Sequence, residues 1–564
     1  MKRRDFIKGS AMAGLSLGLL SACGGESSSG NNLTQPSLPN MPAYDGPNPF
    51  QHGVASGDPW PRQVILWTRL TAPGLDEVPV IVEVATDPLM VNVIYQGFDY
   101  ARSDSDFTIK MDPLLPEPDT TYYYRFNSLG FYSPLGRTRT SPESDAVVDR
   151  ARFALVSCSN YPYGYFNAYR KVAQRADLSA VIHLGDYIYE YGPGEYEDAK
   201  LKSQRPLDPP HPIVTLEDYR RRYALYRGDM DLQECHRQHP FICVWDDHEV
   251  ADNSWREGAA NHNNGQGDYA DRKRAAVRAY HEWMPIRAVL PDDLVRIYRT
   301  FDYGQLLSLI MLDTRLIGRD RQATLPHETR DPNRTLLGLE QERWLFDEME
   351  RSQSRGAHWH ILGQQVMMAH LTLGAVIDNP NWDVGGGIKI NYDQWDGYYH
   401  SRKAVLDRID ALALDNTVVL TGDIHSSWAF DLSPDPGNLF AYNPFNGDGS
   451  KAVEFVVPAV SSPAAPTKGL SDLAFAFLYS ANPHLKWVDL FHRGYVVLDI
   501  TPEHCQADWF HLKTVQERSN EETFARSYQT ATGRNRVSRV KQPSAPLPNP
   551  APLAPRLLDQ EVVA

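Results

Sequence analysis

Four separated stretches of this 564-residue chain concentrate metal-ligand side chains: Ser157-Cys158-Ser159-Asn160, Gly185-Asp186-Tyr187-Ile188-Tyr189-Glu190, Trp245-Asp246-Asp247-His248-Glu249 and Thr421-Gly422-Asp423-Ile424-His425. At least three of them close an apolar or β-branched run: Phe153 to Val156, Val181 to Leu184 and Val418 to Leu420. Short runs of that kind read as strands buried on both faces. Ligands in open α/β sheets gather at the carboxyl ends of the strands. The pattern therefore predicts loops that converge from distant parts of the chain and bring Cys, Asp, Tyr and His to one point. That set suits a two-metal hydrolytic centre.

Each loop is weak evidence alone, and the weight lies in the combination. Asp186 and Tyr189 stand three apart just past a strand; a carboxylate can bridge two cations, and a phenolate is a hard ligand for a trivalent ion. In a chain with 29 Tyr, a single Tyr reads equally well as loop packing. Asp246-Asp247-His248-Glu249 places three acids and an imidazole side by side, an arrangement that repels itself unless a cation sits among them. Asp423 and His425 are two apart, and on an extended segment both would face one centre with Ile424 turned to the core. Cys158 would ordinarily be a small buried hydrophobe; its place at a strand end makes it a ligand candidate.

The flanking pattern divides the chain. Residues 1–23 read as an export signal: Arg3-Arg4, then a weakly apolar run from Ser10 to Ala22 that is shorter than the roughly 20 residues of a spanning helix. The paired arginines resemble a twin-arginine signal. The ending Leu20-Ser21-Ala22-Cys23 resembles a lipidation site, with plain cleavage near Ala22 as the alternative. Residues 24–49, rich in Gly, Ser, Asn and then Pro, read as a flexible tether. Residues 50–140 show short strands parted by Pro, Gly and Asp with no helix, the pattern of a small all-β sandwich of fibronectin or immunoglobulin type. From 151 to 515 strands and helices alternate, which predicts an α/β layered domain. Residues 516–564 form an extension whose Pro-rich end, from Gln542, should be ordered only where it docks.

The formal charge of −15, with no basic run outside the first residues, argues against a nucleic-acid-binding face. The hydrophobic share of 42% and charged share of 23% are those of a water-facing globular chain. Cys158, Cys235, Cys243 and Cys505 are irregularly spaced and make no finger or dense disulfide framework. Cys235 and Cys243 could pair, but Cys243 lies within Phe241-Ile242-Cys243-Val244 and reads as a buried strand residue.

Taken together, the four motifs resemble the calcineurin-like metallophosphoesterases, with departures. The first Asp-x-His is replaced by Ser157-Cys158-Ser159-Asn160, the Gly-Asn of the third motif by Asp246-Asp247, and the last His pair by Asp423-Ile424-His425. Those departures, with Tyr189, His52-Gly53-Val54-Ala55-Ser56-Gly57-Asp58-Pro59, Asp313-Thr314-Arg315 and Gly363-Gln364-Gln365, are similar to the PhoD-type alkaline phosphatase/phosphodiesterase family over about residues 48 to 515. The resemblance implies a metallophosphoesterase α/β sandwich behind the small β-sandwich. It implies a ferric ion on Cys158, Asp186, Tyr189 and His425, and one or two calcium ions on Asp186, Asp247 and Asp423, with Asp186 bridging. Asp246 could exchange roles with Asp247. Ser426 stands where some members have Asn, which puts the second calcium in question. His248 is the candidate for phosphate contact or leaving-group protonation. The expected reaction is attack of a metal-activated hydroxide on phosphate monoesters and diesters. Two alternatives remain: a narrower phosphodiesterase for phospholipid or cell-wall polymer, and a non-catalytic phosphate-binding lipoprotein. Expected partners are the ester substrates, the twin-arginine export machinery and, through a lipid on Cys23, a membrane; the expected location is the periplasm or cell surface. The insertions 192–212 and 373–395 and the C-terminal segment are candidate lids.

Overall fold

The computed structural model describes residues 38–372 and 391–555. The export signal and lipidation site expected before residue 38, and most of the second candidate lid, lie outside them. Two sheets face each other across the main core. Among the described residues the first has ten strands, with Gly494–Ile500, Ala151–Val156, Ala180–His183, Pro240–Cys243 and Val54–Trp60 at its middle. The second runs Arg299–Tyr303, Leu307–Met311, Trp359–Gly363, Thr417–Thr421, Ala452–Val456, Ser427–Leu432 and Leu485–Asp489. The three strands of the first sheet that lead into the predicted site loops pair in parallel, Val156 opposite His183 and His183 opposite Cys243. Thr417–Thr421 is parallel to both of its neighbours in the second sheet.

The period of two along these strands divides their side chains between layers. Phe153, Leu155 and Ile182 pack inward with Val418 and Leu420 of the opposite sheet. Ala154, Val156 and Val181 face outward, under Ala168, Val172, Tyr219, Tyr223 and Tyr280 of the covering helices. Val419 faces the other outer layer, with Leu345, Met349, Val405 and Ile409. Both sheets are thus covered on both faces, which is why the strands read as unbroken apolar runs. Two of the covering helices start at side-chain caps. Leu216–Arg227 follows a reciprocal capping box between Thr215 and Asp218, and Tyr269–Trp283 starts after Asp268, whose carboxylate accepts from Ala270 N.

The N-terminal region is built of strands, and it extends the ten-strand sheet rather than standing beside it. Val54–Trp60 pairs in parallel with Pro240–Cys243, and Gln63–Arg69 and Thr108–Met111 extend that sheet. The five-strand sheet of Glu77–Ala85, Val93–Arg102, Thr121–Ser128, Phe131–Tyr132 and Gly136–Arg139 closes the sandwich over them, with Val54, Leu66, Val80, Val82 and Tyr124 in its core. The ten-strand sheet also runs past residue 515, through Glu522–Ala531 to Ser538–Val540. The Pro-rich tail docks: Arg152 donates to Ser544 Oγ and Ala545 O, Tyr123 OH to Pro552 O, and Gln238 to Ala554 O. Prolines lacking N–H groups leave its carbonyls to accept from these side chains. Cys158, Cys235, Cys243 and Cys505 are all free and buried.

Candidate metal centre

The loops after Ala151–Val156, Ala180–His183, Pro240–Cys243 and Thr417–Thr421 meet at one end of the two sheets. They are tied to one another through backbone. Cys158 N donates to Gly185 O (3.1 Å) and Ser159 N to Asp186 O (2.8 Å), while Gly422 N ties the fourth loop to Gln365 O (2.9 Å), just after Trp359–Gly363. Glu249 clamps two of them, accepting from Asp186 N (3.1 Å), Asp246 N (2.7 Å) and Tyr187 N. Gly185 has a φ of 103°, and a Cβ there would lie 2.4 Å from that of Asp246, so only glycine lets the second and third loops approach. Cys158, Asp186, Asp423 and His425 all have positive φ, from 56° to 62°. Such a conformation is costly for residues with a Cβ and is found where a surrounding structure imposes it for function.

Three overlapping groups result. Ligand atoms of Cys158, Asp186 and His425 lie within 4.8 Å of one another, as do those of Asp186, Asp247 and His248, and those of Asp246, Asp247 and Asp423. Tyr189 joins the first, its hydroxyl 3.1 Å from both Asp186 Oδ2 and His425 Nε2 and 2.6 Å from Ser462 Oγ. Asp186 and Asp247 each belong to two groups. The extended path expected for Asp423-Ile424-His425 is not what forms. Both ligands take left-handed φ, with Ile424 N bonded to Gly422 O (2.7 Å), and this sends His425 to one group and Asp423 to the other.

The electrostatics call for cations. Buried Asp246 and Asp247 and half-buried Asp423 pair with the guanidinium of Arg315, and buried Asp186 lies in the group with Asp247. Burial, and after it the neighbouring carboxylates, hold Asp246 well above the ordinary carboxylate range and push Asp423 up to about 8, against the pull of Arg315. Burial and then Asp186 raise the Tyr189 phenol and the Cys158 thiol as well. Asp186 Oδ1 and Asp246 Oδ2 are buried with no hydrogen-bond partner. Unpartnered buried oxygens and a surplus of acids are what metal ions would relieve. The donors also sort by type: S, phenol O, imidazole N and carboxylate in one group, carboxylates in another. The residues present therefore fit two kinds of ion.

His248 is held on both sides. Its Nδ1 is 2.7 Å from Glu190 Oε2, and its ring lies 4.3 Å from that of Tyr189. Glu190 also accepts from Asp252 N and Asn261 Nδ2. Ser426 turns away: its hydroxyl donates to Ile424 O (2.9 Å) and accepts from Trp428 Nε1 (2.7 Å).

Three residues at the centre escape the sequence reading. Arg315 is fully buried, bonding Asp246 through Nε, Asp393 through Nη1 (2.9 Å) and Asp423 through Nη2 (2.6 Å), with Asp247 at 3.5 Å. Asp313-Thr314-Arg315 after an apolar run was the available signal. Asp393 also holds Arg319, and nothing in its surroundings in sequence marks it. Tyr196, from the 192–212 insertion, brings its hydroxyl to 3.1 Å from His425 Nδ1 and stacks over His248 at 6.3 Å. That insertion therefore lies over the centre. A cavity of about 470 Å³ beside it is lined by Asn253, Gln322, Tyr392 and Asp393.

Comparison with known proteins agrees with this geometry. Residues 153–509 match the family described as PhoD-like phosphatase, and residues 35–142 match its N-terminal domain. The chain is 37% identical over 537 residues to alkaline phosphatase D of Bacillus subtilis (strain 168), covering 91% of this chain and 85% of that protein. The solved structure titled "Structure of PhoD" superposes with a TM-score of 0.79 at 35% identity, over 90% of this chain and 94% of the other. Through both domains and nearly its whole length, the chain belongs to the PhoD-like phosphatase family.

Proposed function

We propose that this chain is a metal-dependent phosphoric ester hydrolase of the alkaline phosphatase D type, acting on phosphate monoesters and diesters. Cys158, Asp186, Tyr189 and His425 would hold a ferric ion; Asp186, Asp247 and Asp423 would hold calcium, with Asp186 shared. The observation that carries this reading is the convergence of four strand-end loops on the buried, unpartnered oxygen of Asp186. When bound, the ions supply Lewis acidity that neutralises phosphate oxygens and makes a water nucleophilic near neutral pH. Hard carboxylate oxygens suit calcium, and the phenolate with the thiolate suits iron. Asp247, which belongs to two of the groups, is the better ligand candidate than Asp246, which is bonded to Arg315. The engagement of Ser426 with its own strand favours one calcium over two.

The chain's own part is positioning. Glu190 holds His248 by Nδ1, which leaves Nε2 to contact a phosphate oxygen or pass a proton to the departing alkoxide. Tyr196 covers the imidazoles and limits water, and the polar cavity beside Asp393 has room for the leaving alcohol. His248→Ala should keep its ions and lose turnover by about 10²–10⁴-fold on one monoester and one diester, the range of general-acid contributions. Loss of iron from that variant would instead make His248 a ligand.

The iron assignment makes a visible prediction. A phenolate and a thiolate on ferric iron give charge-transfer colour, so the purified protein should be coloured and Tyr189→Phe should shift or bleach the band. A colourless, fully active, iron-free preparation would end this assignment.

We also propose export through the twin-arginine machinery to the periplasm or cell surface, with Cys23 carrying a lipid. Among the described residues no helix is long and apolar enough to cross a membrane. Changing Arg3 and Arg4 together to Lys should leave precursor in the cytoplasm; normal fractionation of that variant would defeat the proposal. Absence of fatty-acid label on the wild type would defeat the lipid.

A further inference from the structure

A second cluster of ligand-type side chains shares no residue with the phosphate centre. Asp489 ends the strand Leu485–Asp489 of the seven-strand sheet, His492 follows in the loop toward Gly494, and His511 lies on His504–Leu512 of the ten-strand sheet. Their ligand atoms all lie within 4.8 Å of one another. We propose that Asp489, His492 and His511 form a further metal site, for a divalent ion of the zinc class, with a fourth position left to water.

The geometry supports this in three ways. First, the carboxylate is aimed. Asp489 Oδ1 accepts from Phe491 N (3.0 Å) and His492 N (2.9 Å), which fixes the carboxylate with both oxygens beside His492 Nδ1, Oδ1 at 3.1 Å and Oδ2 at 2.9 Å, and with Oδ2 toward His511. Second, the spacing is right. Oδ2 is 2.9 Å from His492 Nδ1 and 4.0 Å from His511 Nδ1. With metal–ligand bonds of about 2.1 Å, the edges of a tetrahedral site measure roughly 3.4 Å. The two observed separations straddle that value, and 4.0 Å is too long for a hydrogen bond, so His511 Nδ1 faces the gap without a proton acceptor there. Third, His511 has the outer partner that metal-binding histidines use. Its Nε2 lies 3.2 Å from Ser427 Oγ, and an Nε2–H donated to that oxygen leaves the Nδ1 lone pair toward Asp489 and His492. The two imidazoles are stacked at 4.7 Å and 14°, so binding asks one ring to tilt. His492, on a short loop with 30% of its side chain exposed, is the one able to do so, and it gives an ion a way in.

Two imidazoles and one carboxylate with an open position suit zinc better than calcium, which prefers six or more oxygens. Because the ligands come from both sheets, a bound ion would tie them together along one edge.

The test uses the full-length protein with its resident ions, incubated with micromolar zinc sulfate and desalted. Elemental analysis should find one more zinc per chain than in the untreated protein. Crystals should show an anomalous peak at the zinc edge between Asp489, His492 and His511. His492→Ala and Asp489→Asn should each abolish that extra zinc and leave iron, calcium and turnover of p-nitrophenyl phosphate as in the wild type. Equal zinc uptake by wild type and both variants, a peak only at the Asp186 centre, or no uptake at all would overturn the site. His492→Ala removes only a loop side chain, so a folding failure would not explain a negative result.

Discussion

Replacing Asp186 with alanine is expected to remove phosphatase turnover by more than about 10⁴-fold and to lower the content of both kinds of ion together. Asp186 is the one carboxylate that shares a group with Cys158 and His425 on one side and with Asp247 and His248 on the other. Cations in paired sites sit about 3.5–4 Å apart and repel strongly, and a shared carboxylate is what offsets that repulsion. Asp186 is 1% exposed and its backbone is fixed by Glu249, so removing the side chain leaves the loop in place while emptying the junction. Asp186→Asn, which keeps the shape and one acceptor, should lose less ion and less rate than alanine. Elemental analysis with turnover on a monoester decides the matter. Full occupancy with near-normal rates would make Asp186 a turn residue only.

The second large effect is expected at Arg315. Its guanidinium, fully buried, pairs with Asp246, Asp247, Asp393 and Asp423, and Arg319 shares only Asp393 with it. Removing one partner of a buried charge network costs about 3–5 kcal/mol, because the remaining charges stay desolvated and uncompensated. Arg315→Met, similar in volume, should therefore destabilise metal-stripped protein by about that amount in denaturant titrations. Lysine should rescue poorly, since one ammonium cannot reproduce three directed N–H contacts. The loss should shrink when the ions are restored, because they would share the same neutralising task. A wild-type denaturation midpoint for the stripped Met variant would show that the acids do not depend on Arg315.

What could be read beforehand follows the physics of each element. The strands that lead into the four loops were legible because burial on both faces makes them continuous apolar runs. Val54–Trp60 was read as a motif and not as a strand, since Ser56-Gly57-Asp58-Pro59 carries turn residues. It is extended because it pairs with Pro240–Cys243, and a Cβ on Gly57 would come within 2.3 Å of Pro285 O. Asp58, at a φ of 46°, is held by Arg299. These causes lie far away in sequence. The same holds at the centre. The residues of the three groups follow strand ends, where periodicity points. Arg315, Asp393 and Tyr196 owe their roles to tertiary approach, and the left-handed bends at Asp423 and His425 are imposed by the packed loops rather than by local preference. Helix Met230–Gln238 was missed because its apolar positions are few and polar residues such as His236 and Gln238 are buried in it.

The pairing of Val54–Trp60 with Pro240–Cys243 also sets a clock on the ribosome. The first strand emerges roughly 180 residues before its parallel neighbour, which at 5–20 residues per second is a wait of roughly 10–40 s. Gln63–Arg69 can cover one edge at once through a local hairpin, but the other edge stays open until the third ligand strand is made. An open apolar edge is a template for unwanted pairing between chains. The interval of synthesis between these two strands, more than the stability of the finished fold, is therefore when this protein most needs a chaperone, and slowing translation there should raise aggregation.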